Sequence, residues 1–509
     1  MQGLDENIDL GAPIICAGFD LEAALLHENA ARMAREDSGC ILEDEEEIED
    51  ALPQSASPHV HQPSTAPVGI TAPLTGTAKK KDQKRRRDRE KRKTDTVASL
   101  NSTTPPAPTP RVLDKAAQST PIAITFAADD FRATKPRWTG LAQPLEHQLL
   151  PHAADAEFLK KHLQYFDWDG KTTHVILDRK GRIIGVLIAP PLPGEDWDPV
   201  LKAATAAMRE ARDKMAFPAG AYHHRRAYAE GEGFPACTRG FSFGSGREQV
   251  GNIKALSAKN TAAMEELLDN PSVIRMATYP IPHFQALCYP IFANYHTTKQ
   301  TLLEQNSHLH RTFARSPFTA VTANLGPASV SPPHADFGNK ADGMCLIGAL
   351  GDFNADQGGH LVCWDYDLIV RFPPGCSILI PSAVVTHSNT PIQDGEERFS
   401  LIQYSAGGLF RWVDNGFQSD RAWRESATAE DIQRREVERN ARCAAALKKF
   451  SLWKDVKVKN FTGRSRVEVW DLGDVADFSD LTDYESEGER PTKRRPTKRA
   501  RPTKRARWT

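Results

Sequence analysis

His360-Leu-Val-Cys-Trp-Asp-Tyr-Asp-Leu-Ile-Val-Arg-Phe-Pro-Pro-Gly-Cys-Ser-Ile-Leu-Ile-Pro-Ser-Ala-Val-Val-Thr-His387 is the stretch that decides the fold. It holds four short apolar runs: His360 to Trp364, Leu368 to Phe372, Ser377 to Ile380 and Val384 to His387. Each is the length of a strand and too short for a helix. Turn residues separate them, most clearly Pro373-Pro-Gly375. Similar runs flank the stretch, Phe318 to Asn324 and Met344 to Leu350 before it and Phe399 to Tyr404 after it. Gly351-Asp352, Gln357-Gly-Gly359 and Asp394-Gly395 mark the turns between them. Short strands at this spacing predict an α+β protein whose core is a double-stranded β-helix (jelly roll) over about residues 315–412.

Upstream, His174 to Leu177, a turn at Asp178 to Gly181, and Ile183 to Ile188 predict a hairpin. Asp198 to Met215 predicts a helix, with Asp198 as N-cap and Pro199 in its first position. Ser257 to Leu268 predicts another. These supporting helices are expected on the outer face of the β core. Gly240-Phe-Ser-Phe-Gly-Ser-Gly246 reads as a glycine-rich loop between them, open to a tight connection or a close phosphate contact. Downstream, Thr428 to Phe450 predicts one long helix, begun by a capping-box-like Thr428 and Asp431.

The chain has 509 residues and a formal net charge of -1, which hides local extremes. An acidic run, Glu43 to Asp50, precedes a basic one, Lys79 to Lys93. Acidic residues between Asp471 and Glu489 precede the Lys/Arg-rich stretch Lys493 to Arg507. One helix is expected at Leu21 to Arg35, but otherwise residues 1–135 are acidic, basic or proline-rich. Such segments bury too little apolar surface to offset ordering entropy, so long disordered tails are expected. The expected division is a largely disordered region 1–135, a folded unit 136–425, a helical extension 426–473 and a disordered tail 474–509. The eight cysteines are scattered without a CxxC pair, which suits a reducing compartment. The N-terminus has no signal-peptide pattern and no run is long and apolar enough for a membrane span, so no membrane partner is expected.

The candidate chemistry lies in the β block. His334 and Asp336 are two residues apart and share one face of an extended segment. His387 follows from a later strand. Together they form a 2-His-1-carboxylate set, which holds Fe(II) by one face and leaves positions open. His360 is a rival third ligand, read instead as a strand residue: Arg371 lies eleven residues past it, but without the serine two positions on that follows Arg398. Arg398 lies eleven residues past His387, and its planar guanidinium suits a bidentate carboxylate. Ser400 shares that face and Asn324 could bond a further oxygen of the same ligand. The implied co-substrates are a 2-oxo acid, 2-oxoglutarate, and O2.

These residues resemble the Fe(II)/2-oxoglutarate-dependent dioxygenase superfamily. Within it they are most similar to the TET/JBP-type nucleic-acid base oxygenases, especially the fungal group. His334-Ala-Asp-Phe-Gly-Asn339-Lys-Ala-Asp-Gly343 fits the HxDxxNxxxG string, and Arg398-Phe-Ser-Leu-Ile-Gln-Tyr404 is similar to RxSxxxY. Gly358-Gly359 before Leu361 resembles a superfamily element. The resemblance spans about Asp178 to Phe417. It implies hydroxylation of a methylated pyrimidine in nucleic acid, in DNA before RNA, with 2-oxoglutarate converted to succinate. It also implies that Asn339 and Tyr404 contact the base. Ala406 stands where the animal TET pattern has a base-contacting histidine, which weakens the case for 5-methylcytosine in particular.

A base oxidised out of a duplex must leave the stack, and basic residues must hold the phosphates. Lys79 to Arg87, Lys493 to Arg507 and His223-His-Arg-Arg226 are candidates. The first and second also suit nuclear import machinery and a nuclear location. Two other functions fit the residues: a prolyl or lysyl hydroxylase of the same chemistry, and a chromatin-binding protein with a vestigial site.

Overall fold

The structure is a computed structural model that describes residues 76–135, 137–142, 146–191, 197–218, 233–244 and 246–456. The expected helix at residues 21–35, the acidic run at 43–50, the His223–Arg226 cluster and the acidic and basic tail lie outside the described residues.

Among the described residues the strands form two sheets. The strands are β1 Thr120–Ala123, β2 Gln164–Phe166, β3 His174–Leu177, β4 Ile183–Ile188, β5 Ala236–Ser242, β6 Gly251–Asn252 and β7 Ala320–Asn324. They continue with β8 Cys345–Asp352, β9 Leu361–Cys363, β10 Leu368–Val370, β11 Ser377–Ile380, β12 His387–Asn389 and β13 Glu397–Tyr404. The larger sheet runs β1-β3-β4-β11-β8-β13-β7-β5-β6, and the smaller β12-β9-β10-β2. From β7 onward the chain passes repeatedly between sheets. β13 lies antiparallel between β7 and β8, and β11 lies antiparallel between β8 and β4. His334, between β7 and β8 in sequence, bridges to His387 of β12 in the smaller sheet.

The helices are α1 Gly76–Asn101, α2 Pro110–Ala117, α3 Ala156–His162, α4 Trp197–Lys214, α5 Ala258–Asp269 and α6 Pro271–Thr278. After them come α7 Ile281–Leu287, α8 Tyr289–Gln305, α9 Gly407–Asp414, α10 Asp420–Ser426 and α11 Ala429–Leu447. Met208 of α4, Leu267 of α5 and Val273 of α6 join Val321, Ala323, Phe399 and Leu401 in one apolar core. Burying each such side chain contributes roughly 1.5–3 kcal/mol. Because side chains alternate along a strand, Phe399 and Leu401 facing the helices sends Arg398 and Ser400 the other way. Asn260 ties α5 to the end of α4: its Oδ1 accepts from Ala216 N and its Nδ2 donates to Ala216 O, both at 2.8 Å. Ser257 caps α5, and Thr428 with Asp431 completes a capping box on α11.

The structure departs from the sequence expectations at several places. Residues 76–135 are not unstructured: α1, α2 and β1 form there, and β1 pairs in parallel with β3. Ala116 is fully buried, and Ile122, Ile124 and Phe131 are buried. The proline-rich link docks through its carbonyls, which accept from His296 at Ser102 and from Gln285 at Pro106. Low local hydrophobicity did not prevent order, because a sheet edge supplied the missing partner. Gly240 to Ser242 belong to β5 rather than to a loop. A Cβ at Gly240, φ +117°, would lie 2.1 Å from Thr319 O, so this glycine serves close strand approach. The strand expected at Val384 begins only at His387, after a turn in which Val384 N and Val385 N both bond to Pro381 O. Helix α4 starts at Trp197, which places Asp198 inside its first turn. Helices α6, α7 and α8 were not foreseen; each has a proline in its first turn, which punctuates the apolar pattern.

Deleting residues 1–101, which keeps Ser102 O on His296 and Pro106 O on Gln285, should leave thermal stability nearly unchanged. Deleting 1–135, at the boundary that composition suggested, removes β1 and several buried side chains and should lower the melting temperature by more than about 5 °C. Differential scanning calorimetry of the two truncations decides this.

Candidate metal centre

The segment before His334 is held extended by Pro332 and Pro333. It runs antiparallel to β12, with Asn389 N donating to Ser331 O at 2.9 Å. His334 N donates to His387 O at 3.0 Å and His387 N to His334 O at 2.8 Å. Such a reciprocal pair places both side chains on the same face. Their ring centroids lie 4.4 Å apart. Asp336, two residues on, shares that face and is fixed by its N–H on Ser382 O at 2.8 Å.

The ligating atoms converge. His334 Nε2 lies 3.7 Å from Asp336 Oδ1, and His387 Nε2 lies 3.9 Å from Asp336 Oδ2. One ligand atom from each of the three residues falls within 4.8 Å of the others. The tautomers follow from the other ring nitrogens. His334 Nδ1 is 2.8 Å from Pro332 O, and His387 Nδ1 is 2.9 Å from Val385 O. A carbonyl only accepts, so each Nδ1 carries the proton and each Nε2 offers its lone pair. Two neutral imidazoles and a carboxylate suit a divalent transition metal such as Fe(II). Cis ligands at about 2.1 Å from a metal are about 3 Å apart, so each of the two His–Asp gaps needs to close by about an ångström. The His387 side chain is 7% exposed and those of His334 and Asp336 are 22%, so the site opens on their side.

His360 stands apart from this group. It is fully buried, and its Nδ1 lies 3.1 Å from Thr390 Oγ1. Burial pulls its imidazole down to about 4, which keeps it neutral. Gly358 and Gly359 before it allow close packing: a Cβ at Gly358 would lie 2.2 Å from Pro391 O, and one at Gly359 2.7 Å from Phe353.

Arg398 is only 2% exposed. Its Nη1 donates to Ser329 O at 2.6 Å, while Nε and Nη2 are buried without a hydrogen-bond partner among the described residues. Burial lowers the guanidinium to about 10, so it stays charged at neutral pH. Phe353 and Phe372 lie beneath it, with ring centroids at 5.8 and 6.0 Å. Sequence reading missed these two aromatic walls and the Ser329 carbonyl, because nothing in their spacing marks them. Ser400 and Asn324 are directly opposed on β13 and β7, and Asn324 Nδ2 donates to Ser400 Oγ at 2.8 Å.

Asn339 lies in the turn after Asp336, where its N–H bonds Asp336 O at 2.9 Å, and it bridges to Ala406. Its Nδ2 donates to the buried Cys345 Sγ at 3.3 Å, which also takes Ser382 Oγ at 2.8 Å. Tyr404 is half-buried at the end of β13, opposite Ala320. No helix among the described residues is long and apolar enough to cross a membrane.

No protein-family model matches the chain, and no curated protein does. Among solved structures it is similar to NgTET1 in complex with 5mC DNA, at 14% identity over 52% of this chain and 93% of that one, with a TM-score of 0.32.

Substituting Ala for His334, Asp336 or His387 should weaken Co(II) or Fe(II) binding by more than about 100-fold, since even outer partners of metal ligands are worth 10–100-fold. His360→Ala should leave it unchanged. Isothermal titration of the four variants checks the assignment.

Proposed function

We propose that this protein is an Fe(II)/2-oxoglutarate-dependent dioxygenase that hydroxylates a methylated pyrimidine base in DNA, in the manner of the TET/JBP-type enzymes. The observation that carries the reading is Arg398. A buried guanidinium with two unsatisfied donors is costly unless an anion completes it. Its planar fork suits a carboxylate, and Ser400 and Asn324 lie on the adjacent strand positions. The His334, Asp336 and His387 donor set supports iron, and three protein ligands leave room for a chelating 2-oxo acid and O2.

The strand order supports a double-stranded β-helix. β11, β8, β13 and β7 are neighbours in one sheet, and the His334 segment, β12, β9 and β10 are neighbours in the other. Two strand ladders wrapped around a common interior would give such an order.

In this reading the protein's own groups bind and orient. Arg398 and Ser400 hold the far carboxylate of 2-oxoglutarate, with Asn324 keeping the Ser400 hydroxyl in place. Phe353 and Phe372 exclude water around that carboxylate. Asn339 and Tyr404 are assigned to the base, flipped out of its stack. Iron held by His334, Asp336 and His387 would supply the oxidation, with one atom of O2 entering the substrate and the other entering succinate as CO2 leaves. Helix α1 supplies a phosphate-contacting element, since Lys84, Arg86, Arg87 and Lys91 are all exposed on it. We also propose that α1 and the C-terminal basic tail serve nuclear import, with the nucleus as the working location.

The decisive experiment incubates the protein with Fe(II), 2-oxoglutarate and methylated duplex DNA, then resolves nucleosides by mass spectrometry. An oxidised base that vanishes in His387→Ala supports the reading. Succinate formed only with a peptide would replace it with a protein hydroxylase. No turnover on any substrate despite bound iron would favour a chromatin-binding protein with a vestigial site.

Arg398→Gln should raise the 2-oxoglutarate Kd at least about 30-fold, the loss of a charge-assisted bidentate pair, with metal affinity unchanged. Titration of each ligand separately reads this. Replacing Lys84, Arg86, Arg87 and Lys91 by Gln should flatten the salt dependence of DNA binding by a log–log slope of up to about 3–4. Fluorescence anisotropy across a salt series measures it.

A further inference from the structure

The loop leaving Asp336 buries two opposite charges. The side chains of Lys340 and Asp342 are 2% and 3% exposed and form an ion pair with each other. Asp342 Oδ2 also takes Lys449 Nζ at 2.6 Å, from just beyond the end of α11. Burial pushes the Asp342 carboxyl up, but the two ammonium groups more than offset this and hold it below the usual carboxylate range. Burial in turn pulls Lys340 down to about 8, against the opposing effect of Asp342.

One lysine suffices to neutralise one carboxylate. A second, part-buried ammonium adds desolvation cost without being needed for neutrality. What Lys449 adds is a connection. Lys340 Nζ lies 4.4 Å from the Trp138 ring centroid and 5.3 Å from that of Phe410. Arg442 of α11 lies over the same Trp138 at 4.8 Å, and Trp138 O accepts from Ala341 N in the loop. Past α11, Ser451 O accepts from Ile183 N, and Trp453 N donates to Gly181 O. Residues 449–453 are thus fixed both to the β3–β4 hairpin and to the loop that follows Asp336.

We propose that Lys449 and Asp342 are positioning residues for the metal centre, their ion pair holding the loop from Asp336 to Gly343 in register. It rests on the metal-centre reading above. The segment 429–456 is then part of the site, although composition set it apart as an extension.

The test uses the full chain carrying Lys449→Met, which keeps the stem and leaves Lys340 and Asp342 mutually neutral, so that the fold persists. Co(II) affinity should fall about tenfold, in the range seen for outer partners of metal ligands, with an altered visible Co(II) spectrum. Lys449→Arg should restore both, and Asp342→Asn should reproduce the loss. Affinity and spectrum within twofold of the parent in Lys449→Met and Asp342→Asn would overturn the proposal. So would a lower melting temperature with metal affinity per folded molecule intact. Unchanged Co(II) binding in His334→Ala would instead remove the metal centre itself, an outcome distinct from either.

Discussion

The reciprocal backbone hydrogen bonds between His334 and His387 are the constraint on which the site depends. Two imidazoles 53 positions apart in the chain meet because an extended segment lies antiparallel to a three-residue strand. A slip of one residue would turn one ring to the opposite face. The prolines before His334, the Asp336 N–H on Ser382 and the Asn389 N–H on Ser331 all resist that slip. The same geometry selects the tautomer, since each ring reaches the carbonyl two residues before it. Ligand chemistry here follows from strand register.

Much of this was legible in the sequence because it is local. Apolar runs of strand length and the turns between them located the β block. The two-residue spacing of His334 and Asp336 showed that their side chains share a face. Arg398 and Ser400 were legible for the same reason. The surroundings of Arg398 were not, because Phe353, Phe372 and Ser329 come from three separate places in the chain. Nor could sequence alone rank His387 above His360 on geometry; the closed packing of His360 against Thr390 makes the difference.

Composition misled where order was supplied from outside a segment. Residues 102–124 are rich in proline and small polar residues, and alone they could not bury a core. The edge of β3 and the side chains of His296 and Gln285 give that backbone its partners. The strand expected at Val384 failed differently: Pro381 draws the next residues into a turn, and pairing begins only at His387. Helices α6 to α8 escaped notice because proline suggests a break, whereas in a first turn it starts a helix.

On the proposed reading, the buried guanidinium of Arg398 would tie the protein's stability to the anion that completes it. A charge enclosed by two phenyl rings and one carbonyl disfavours the empty state. A carboxylate that bound there would stabilise the fold by RT ln(1 + [L]/Kd), a gain that grows with its concentration. The abundance of the intact molecule would then follow the supply of central-carbon metabolites, independently of any turnover it performs.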